Sequence, residues 1–267
     1  MKKAYLTGIL CALLLMGCAT SPTGRHQLMI VSEDTAISAS KQAYVEMLKP
    51  YAQQGKIDND AALKKRVDNI AGRLIAQAIK MRPETKNWQW SIKIIDDPNT
   101  VNAWAMAGGK MALYTGLVDK IKPTDDELAQ VLGHEIAHAL AKHSAEKMSV
   151  AMVSSIGVMA VGMAADSKGL ALTGAGLAAA LAVEKPNSRA AESEADRIGI
   201  ELAAKAGYDP RAAITLWQKM AKVGGKSPPQ FLSTHPSPAN REKKLAEYVP
   251  EMMPYYEQKG DRPVYKL

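Results

Sequence analysis

Residues 124–140 constrain the fold more than any other segment, because they predict one buried amphipathic helix that carries two histidines. Thr124 is followed three positions later by Glu127, which matches a capping box at the start of a helix. The apolar positions that follow at helical spacing are Leu128, Val131, Leu132, Ile136 and Leu140. The sequence therefore predicts a helix that begins at residue 124 and continues to about Met148.

His134 and His138 lie four positions apart, so that both imidazoles can reach one ion from adjacent turns of this helix. Glu135 is rotated about 100° from His134, and its carboxylate can therefore contact a water on that ion without being a ligand. This is the H-E-x-x-H arrangement of zinc-dependent peptidases. An inert helix is the alternative, but the chain contains only five histidines, so a chance match is uncommon.

Catalytic zinc sites generally have three protein ligands and an open position, so a third ligand is expected outside this helix. Spacing favours Glu192, with Asp196 one turn later to orient a ligand histidine. Glu194 points elsewhere and is the competing ligand, and an exposed acidic turn without metal is the simpler alternative. His143, five positions after His138, is expected to miss the metal and to be a polar residue near the helix end.

Elsewhere in the chain, the spacing of the apolar residues predicts both helices and strands. The segments whose spacing predicts helices are 34–49, 60–82, 186–210 and 237–248. Strict alternation over residues 88–94 predicts a strand. Residues 101–106 and 110–115 flank Gly108 and Gly109, which predicts a hairpin.

The amino terminus resembles the export signal of a bacterial lipoprotein. Lys2 and Lys3 precede an apolar stretch that ends in L-L-M-G-C, and cleavage before Cys18 would leave that cysteine for lipidation. Residues 1–17 are therefore predicted to be a signal peptide. An uncleaved anchor and a plain secretory signal are the alternatives.

Residues 18–33 are small and polar, and they are predicted to be a lipidated tether that attaches a soluble body to the membrane. Alanine rather than aspartate follows Cys18, which favours the outer membrane over the inner one. The formal net charge of +7 is spread along the chain without a long basic run. No nucleic-acid partner is expected from such a pattern.

Several motifs together resemble zinc metallopeptidases of the HtpX/CAAX-prenyl-protease type, which are H-E-x-x-H gluzincins. The motifs are HEIAH at 134–138, SRAAESEAD at 188–196, THPSPANR at 234–241 and the strand pair at 101–118. The predicted lipoprotein signal is similar to that of the bacterial periplasmic lipoprotein branch. The resemblance covers about residues 60–245.

The resemblance implies that Glu192 is the third zinc ligand and that Asp196 supports the histidines. It implies that His235 approaches the metal, either to stabilise the oxyanion or to occupy the open zinc position in a latent form. The remaining matched positions are Arg241 near the metal, and Asn102 and Ala103 on an edge strand that can pair with an extended substrate.

The expected fold is α+β, a mostly helical zincin-like domain with a small mixed β-sheet beside the H-E-x-x-H helix. This metallopeptidase domain is predicted to cover residues 34–250, followed by a carboxyl-terminal tail at 251–267. The apolar stretch at 148–183 is predicted to be a helical hairpin that packs on the body or touches the membrane. A membrane-spanning hairpin is the alternative.

The expected function is that of a lipid-anchored endopeptidase with one zinc ion per chain. The resemblance implies substrates among misfolded or unassembled envelope proteins. The lipoprotein signal and the alanine after Cys18 predict a location on the periplasmic side of the outer membrane, with the machinery that assembles outer-membrane proteins as a candidate partner. One alternative is a chaperone-like assembly factor with latent or secondary proteolysis. A purely structural lipoprotein is another.

Overall fold

The computed structural model describes residues 18–162, 186–223, 229–236 and 240–267. The predicted signal peptide at 1–17 lies outside the described residues, as do residues 163–185, which include the end of the first arm and all of the second arm of the predicted apolar hairpin. The first arm is a helix to Gly162.

Fifteen elements are described within these ranges. The strands are β1 (Cys18–Thr20), β2 (His26–Leu28), β3 (Ser91–Ile95), β4 (Ala103–Met106) and β5 (Lys110–Tyr114). The helices are α1 (Glu33–Gln53), α2 (Ala61–Met81), α3 (Thr115–Ile121), α4 (Asp125–Leu140), α5 (His143–Gly162), α6 (Arg189–Lys205), α7 (Ala212–Val223), α8 (Gln230–Thr234) and α9 (Arg241–Glu257). A 3₁₀ turn covers Pro83–Asn87.

The central sheet has three strands in the order β3–β5–β4. β3 runs parallel to β5, whereas β4 is antiparallel to it, so that Met111 of β5 pairs with both Ile92 and Ala105. Gly108 and Gly109 have φ values of +77° and +75°, and they make the turn that joins β4 to β5. The predicted hairpin and the mixed sheet are therefore confirmed.

Helix α4 begins as the sequence predicts but ends earlier. The Thr124 hydroxyl accepts a hydrogen bond from the Glu127 backbone N–H, and the Glu127 carboxylate accepts one from the Thr124 N–H. The helix stops at Leu140, because Lys142 adopts a left-handed conformation with φ of +59° and a new helix, α5, begins there. The prediction of one helix to about Met148 is wrong.

Helices α4 and α6 cross with their backbones in contact at two glycines. A Cβ atom on Gly199 would lie 2.8 Å from the backbone nitrogen of His134, and one on Gly133 would lie 2.8 Å from the carbonyl oxygen of Gly199. Any side chain at either position would push the helices apart. This close crossing places α6, which carries Glu192, directly against the helix that carries the two motif histidines.

The first residues described are not the free tether that the sequence predicts. β1 and β2 form an antiparallel hairpin that packs on the body. The Arg25 guanidinium contacts the Glu146 carboxylate at 2.6 Å, and the Gln27 side chain donates a hydrogen bond to the Ala141 carbonyl. Small polar residues indicated a linker, but their hydrogen bonds to distant groups hold the segment in place.

The carboxyl-terminal residues also belong to the body. α9 continues to Glu257, past the end predicted at residue 248. The chain then returns to α2, where the Tyr265 N–H donates to the Gly72 carbonyl at 2.9 Å. The tail predicted at 251–267 is therefore packed. Within the described ranges, no helix has both the length and the hydropathy that a membrane span requires.

Candidate metal centre

Four buried side chains bring ligand atoms to one point. They are His134 and His138 from α4, Glu192 from α6, and His235, which follows α8. One nitrogen or oxygen atom from each residue lies within 4.8 Å of every other. Two of the four come from the H-E-x-x-H motif, and the other two are more than 50 positions further along the chain.

The spacing of these atoms fits a metal ion. The Nε2 atoms of His134 and His138 are 3.0 Å apart, and each lies 3.3 Å from an oxygen of Glu192. Ligand atoms about 2.1 Å from a tetrahedral zinc ion would be separated by about 3.4 Å. The Oε2 atom of Glu192 is buried and has no hydrogen-bond partner among the described residues. A bound cation would satisfy that oxygen.

The ring of His134 is held from its far side. Its Nδ1 atom lies 3.0 Å from the Asp196 carboxylate, so that Nδ1 carries the proton and Nε2 faces the other ligand atoms. Asp196 in turn accepts a 2.6 Å hydrogen bond from the Arg241 guanidinium. That guanidinium stacks over the Trp217 ring at 3.4 Å, which fixes its plane.

The ring of His138 is held by a second histidine. Its Nδ1 atom lies 2.7 Å from the Nδ1 atom of His143, whose Nε2 atom lies 3.1 Å from the Glu194 carboxylate. His143 and Glu194 are only 2% and 4% exposed. Glu194 therefore points away from the ligand cluster, as predicted, but it is not part of an exposed acidic turn.

Glu135 lies beside the cluster without joining it. Its Oε1 atom is 3.4 Å from the Nε2 atom of His235 and has no hydrogen-bond partner in the described part of the chain. Burial raises the pKa of this carboxyl, although the attraction of His235 and His134 opposes the effect. A buried carboxylate with a free oxygen next to a metal site is suited to accept a proton.

The ligand side chains of the cluster differ in how readily each one is protonated. Burial opposes ionisation of Glu192, but the attraction of His235 and His134 lowers its pKa well below 4.5. Burial also disfavours a proton on His134, yet Glu192 and Asp196 raise its pKa to about 9. Burial lowers the pKa of His138 well below 6.5. A proton on His134 therefore competes with a cation for this site.

His235 is fixed by its neighbours. Its ring stacks on Phe231 with the centroids 4.4 Å apart, and its Nδ1 atom lies 3.3 Å from the Nε2 atom of His134. The Asn187 N–H donates to the Thr234 carbonyl, which ties this loop to the start of α6. The structure thus places the His235 ring inside the ligand cluster.

The predicted substrate-binding residues lie at one edge of the sheet. Ala103 begins β4, which has β5 on one side, and Asn102 precedes it. Both residues are buried, at 1% exposure for Asn102 and 0% for Ala103. An extended peptide could therefore pair with this edge only after the groups that cover it move.

Sequence reasoning missed three side chains that support the cluster, His143, Glu194 and Arg25. His143 is outside the ligand cluster and lies just past the end of α4, in line with the expectation, but the break after Leu140 turns its ring toward His138, a contact that the sequence did not predict. A second histidine shortly after an H-E-x-x-H helix is a signal that could have suggested this contact. Arg25 gives no local signal, because its partner Glu194 is 169 positions away.

Comparison with known proteins agrees with this geometry. The family model described as Peptidase family M48 matches residues 61–249. The chain is 32% identical over 243 residues to the mitochondrial metalloendopeptidase OMA1 of Bos taurus, which covers 86% of this chain and 46% of that protein. It is 40% identical over 158 residues to the mitochondrial metalloendopeptidase OMA1 of Arabidopsis thaliana, covering 59% and 31%.

A bacterial relative is similar over a comparable range. The putative beta-barrel assembly-enhancing protease of Vibrio cholerae is 34% identical over 209 residues, which covers 74% of this chain and 41% of that protein. The chain thus spans less than half the length of these three relatives.

Proposed function

Since the chain belongs to peptidase family M48, we propose that it is a zinc-dependent endopeptidase with one zinc ion per chain. The observation that carries this proposal is the convergence of His134, His138 and Glu192 beside the Glu135 carboxylate. Two imidazoles and one carboxylate are the protein ligands of a common class of catalytic zinc site.

The chain's own groups would divide the work of hydrolysis. Zinc, when bound, would polarise the scissile carbonyl and lower the pKa of a water. Glu135 would accept a proton at Oε1 and return it to the leaving amine. Its raised pKa suits this role, because the carboxylate must both take and release the proton. Asp196 and Arg241 would hold the His134 ring in one orientation.

We propose that His235 occupies the fourth position of the site in a latent form. The support for this role is its Nδ1 atom, which lies 3.1 Å from Glu192 and 3.3 Å from His134, within the range of 3.0–3.3 Å that separates the other ligand atoms. In the alternative role, the ring would withdraw from the cluster and stabilise the oxyanion that develops on the substrate.

The test is zinc content together with cleavage of an unfolded protein such as casein, with and without chelator. Glu135→Gln should keep its zinc and lose cleavage, because the ligands remain but the proton acceptor is gone. Glu84→Gln, a surface carboxylate paired with Arg82, is the matched control and should cleave like the wild type. Cleavage that persists in the chelated wild type and in Glu135→Gln would contradict the proposal.

We propose that the enzyme acts in the bacterial envelope on misfolded or unassembled envelope proteins. The support is the lipoprotein-like amino terminus and a relative named for β-barrel assembly. Cys18 is the first residue of β1, and the hairpin packs on the body. A lipid on Cys18 would therefore hold the domain close to the outer membrane without a free linker. Cys18→Ser should release the protein from the membrane fraction.

We also propose that an extended substrate pairs with the free edge of β4 near Asn102 and Ala103. The support is the position of β4 at the edge of the sheet and its packing against α4, which carries Glu135. Movement of the His235 loop would uncover this edge, since the Phe231 N–H donates to the Val101 carbonyl just before β4.

A chaperone-like assembly factor is the second candidate, favoured by the assembly-enhancing name of the Vibrio cholerae relative. Glu135→Gln separates the two functions. A protease would lose its cellular role with this substitution, whereas an assembly factor would keep that role without cleavage. The readout is the amount of correctly assembled outer-membrane protein in cells that carry only the variant.

A further inference from the structure

A chain of polar contacts, half-buried at Arg25 and buried from Glu194 onward, leads from the amino-terminal hairpin to the candidate metal site. The Arg25 Nε atom donates to the Glu194 carboxylate at 2.7 Å, and the same carboxylate oxygen lies 3.1 Å from the His143 Nε2 atom. The His143 Nδ1 atom then lies 2.7 Å from the Nδ1 atom of His138. Three distant segments of the chain thus meet behind one ligand histidine.

The donors and acceptors along this chain fix where the ring protons lie. The Glu194 carboxylate receives hydrogen bonds from Arg25 and from Thr23, so it acts as an acceptor. The facing Nε2 atom of His143 must therefore carry a proton, which leaves a lone pair on its Nδ1 atom. His138 must then donate from Nδ1, and its Nε2 lone pair faces Glu192 and His134.

Each of the two ligand histidines is followed, on the side away from the metal site, by a carboxylate and then by an arginine. The Asp196 carboxylate contacts the Nδ1 atom of His134, and the Arg241 guanidinium donates a 2.6 Å hydrogen bond to that carboxylate. Behind His138 stand the Glu194 carboxylate and then the Arg25 guanidinium, with the His143 ring inserted as a spacer. Carboxylates in this position orient ligand imidazoles and raise their basicity in metal sites.

We propose that Arg25, Glu194 and His143 are positioning residues that set the tautomer and orientation of His138, so that the amino-terminal hairpin completes the metal site. This inference rests on the proposed function, because it treats His138 as a metal ligand. Beyond that function, the inference assigns the amino-terminal hairpin to the metal site.

Glu194 is not the only carboxylate that anchors the hairpin. The Arg25 guanidinium also donates two hydrogen bonds to Glu146, at 2.7 and 2.6 Å, and the Gln27 side chain donates a third. Glu146 holds the hairpin but has no hydrogen bond to a ring of the cluster in the residues described. Glu146→Gln is therefore a matched control, since it weakens one anchor of the hairpin and leaves the Arg25–Glu194–His143 contacts in place.

The experiment measures zinc affinity of the full-length protein by competition with a chromophoric chelator, together with the melting temperature of the metal-free protein. His143→Leu removes the acceptor for His138 and should weaken zinc binding by about 10- to 100-fold. His143→Asn can place a carbonyl oxygen near the former Nδ1 position and should restore most of the affinity. Glu146→Gln should bind zinc like the wild type even if its melting temperature falls.

Equal zinc affinity in the wild type and His143→Leu would overturn the inference while leaving the proposed function intact. Affinity that is as weak in Glu146→Gln and His143→Asn as in His143→Leu would also overturn it, by showing a merely structural role. A wild type that binds no zinc would remove the proposed function and this inference together.

A second measurement needs no variant and covers the case in which His143→Leu does not fold. Long-range ¹H–¹⁵N correlation spectra of the wild-type zinc protein report the ring tautomers. The inference requires a proton on Nδ1 of His138 and on Nε2 of His143. The opposite tautomer at either ring would refute it.

Discussion

The Asp196 Oδ1 atom lies 3.0 Å from the Nδ1 atom of His134, and this contact turns the opposite ring nitrogen toward Glu192. Asp196→Ala removes the acceptor and also leaves the Arg241 guanidinium without its 2.6 Å partner. We expect zinc affinity to fall by about 10- to 100-fold, measured by chelator competition. Asp68→Ala, which removes a carboxylate from α2, is the control, and equal affinity in the two variants would contradict the expected role.

Metal removal should lower the melting temperature, because the ion would neutralise Glu192 and bring together ligands from three segments of the chain. At free zinc 1,000 times above the dissociation constant, the stabilisation is about 4 kcal/mol. For a chain of this size, that corresponds to roughly 8–16 °C. Scanning calorimetry with and without chelator measures the shift. Glu135→Gln should show the same shift, whereas Glu192→Gln should show little or none.

Substitution of His235 distinguishes its two proposed roles. If the ring occupies the fourth position of the resting site, His235→Ala should raise cleavage of an unfolded substrate, because that position becomes free for water and substrate. If the ring stabilises the oxyanion instead, cleavage should fall by about 10²- to 10³-fold. The kcat with saturating casein decides between them. The position of Nδ1 inside the cluster favours the increase.

Local patterns predicted much of the fold and part of the site. The capping box at Thr124 and the spacing of His134 and His138 depend only on neighbouring residues, so the sequence shows them directly. The glycine pair between β4 and β5 is equally local. Glu192 could be separated from Glu194 only by helical geometry and by resemblance, because both acids lie early in the same helix.

Long-range contacts account for what the sequence could not predict. Nothing near Lys142 marks the helix break, since it is neither glycine nor proline and still adopts a left-handed φ. The hairpin at residues 18–28 was interpreted as a tether because its stabilising partners, Glu146 and Glu194, are more than 100 positions away. Periodicity describes one element at a time, and such pairs appear only when elements pack.

The close crossing of α4 and α6 predicts a specific sensitivity at Gly199. A Cβ atom there would approach the His134 backbone nitrogen to 2.8 Å, and backbone cannot move aside as a flexible side chain can. Gly199→Ala should lower the free energy of unfolding by about 1–3 kcal/mol, and it should weaken zinc binding by shifting His134 relative to Glu192. Chemical denaturation and chelator competition measure the two effects.

The matched control for that variant is Gly72→Ala. Its Cβ atom would lie 2.5 Å from the Tyr265 carbonyl oxygen, where the carboxyl-terminal residues pack on α2. We expect Gly72→Ala to lose stability while keeping normal zinc affinity, because it displaces a segment that provides no ligand. Normal zinc affinity in Gly199→Ala would show that the crossing does not set the geometry of the site.

Acid should release the amino-terminal hairpin. Burial opposes ionisation of Glu194, but hydrogen bonds, first from His143 and then from groups of the hairpin, lower its pKa well below 4.5. Burial likewise opposes ionisation of Glu146, and the Arg25 and Gln27 side chains lower its pKa. Because both folded-state pKa values lie below the unfolded ones, the stabilisation is complete above the unfolded pKa and is lost as the pH falls through the folded values.

Hydrogen exchange of the amides in residues 18–28, corrected for intrinsic rates, measures this release. We expect strong protection at about pH 6 and weaker protection at about pH 3, where part of the stabilisation is lost, with the sheet strands β3 and β5 protected at both. Arg25→Met should show weak protection of the hairpin already at about pH 6, since the cation that holds both carboxylates is absent. Hairpin protection that does not change with pH in the wild type would mean that apolar packing, rather than these two carboxylates, holds the hairpin.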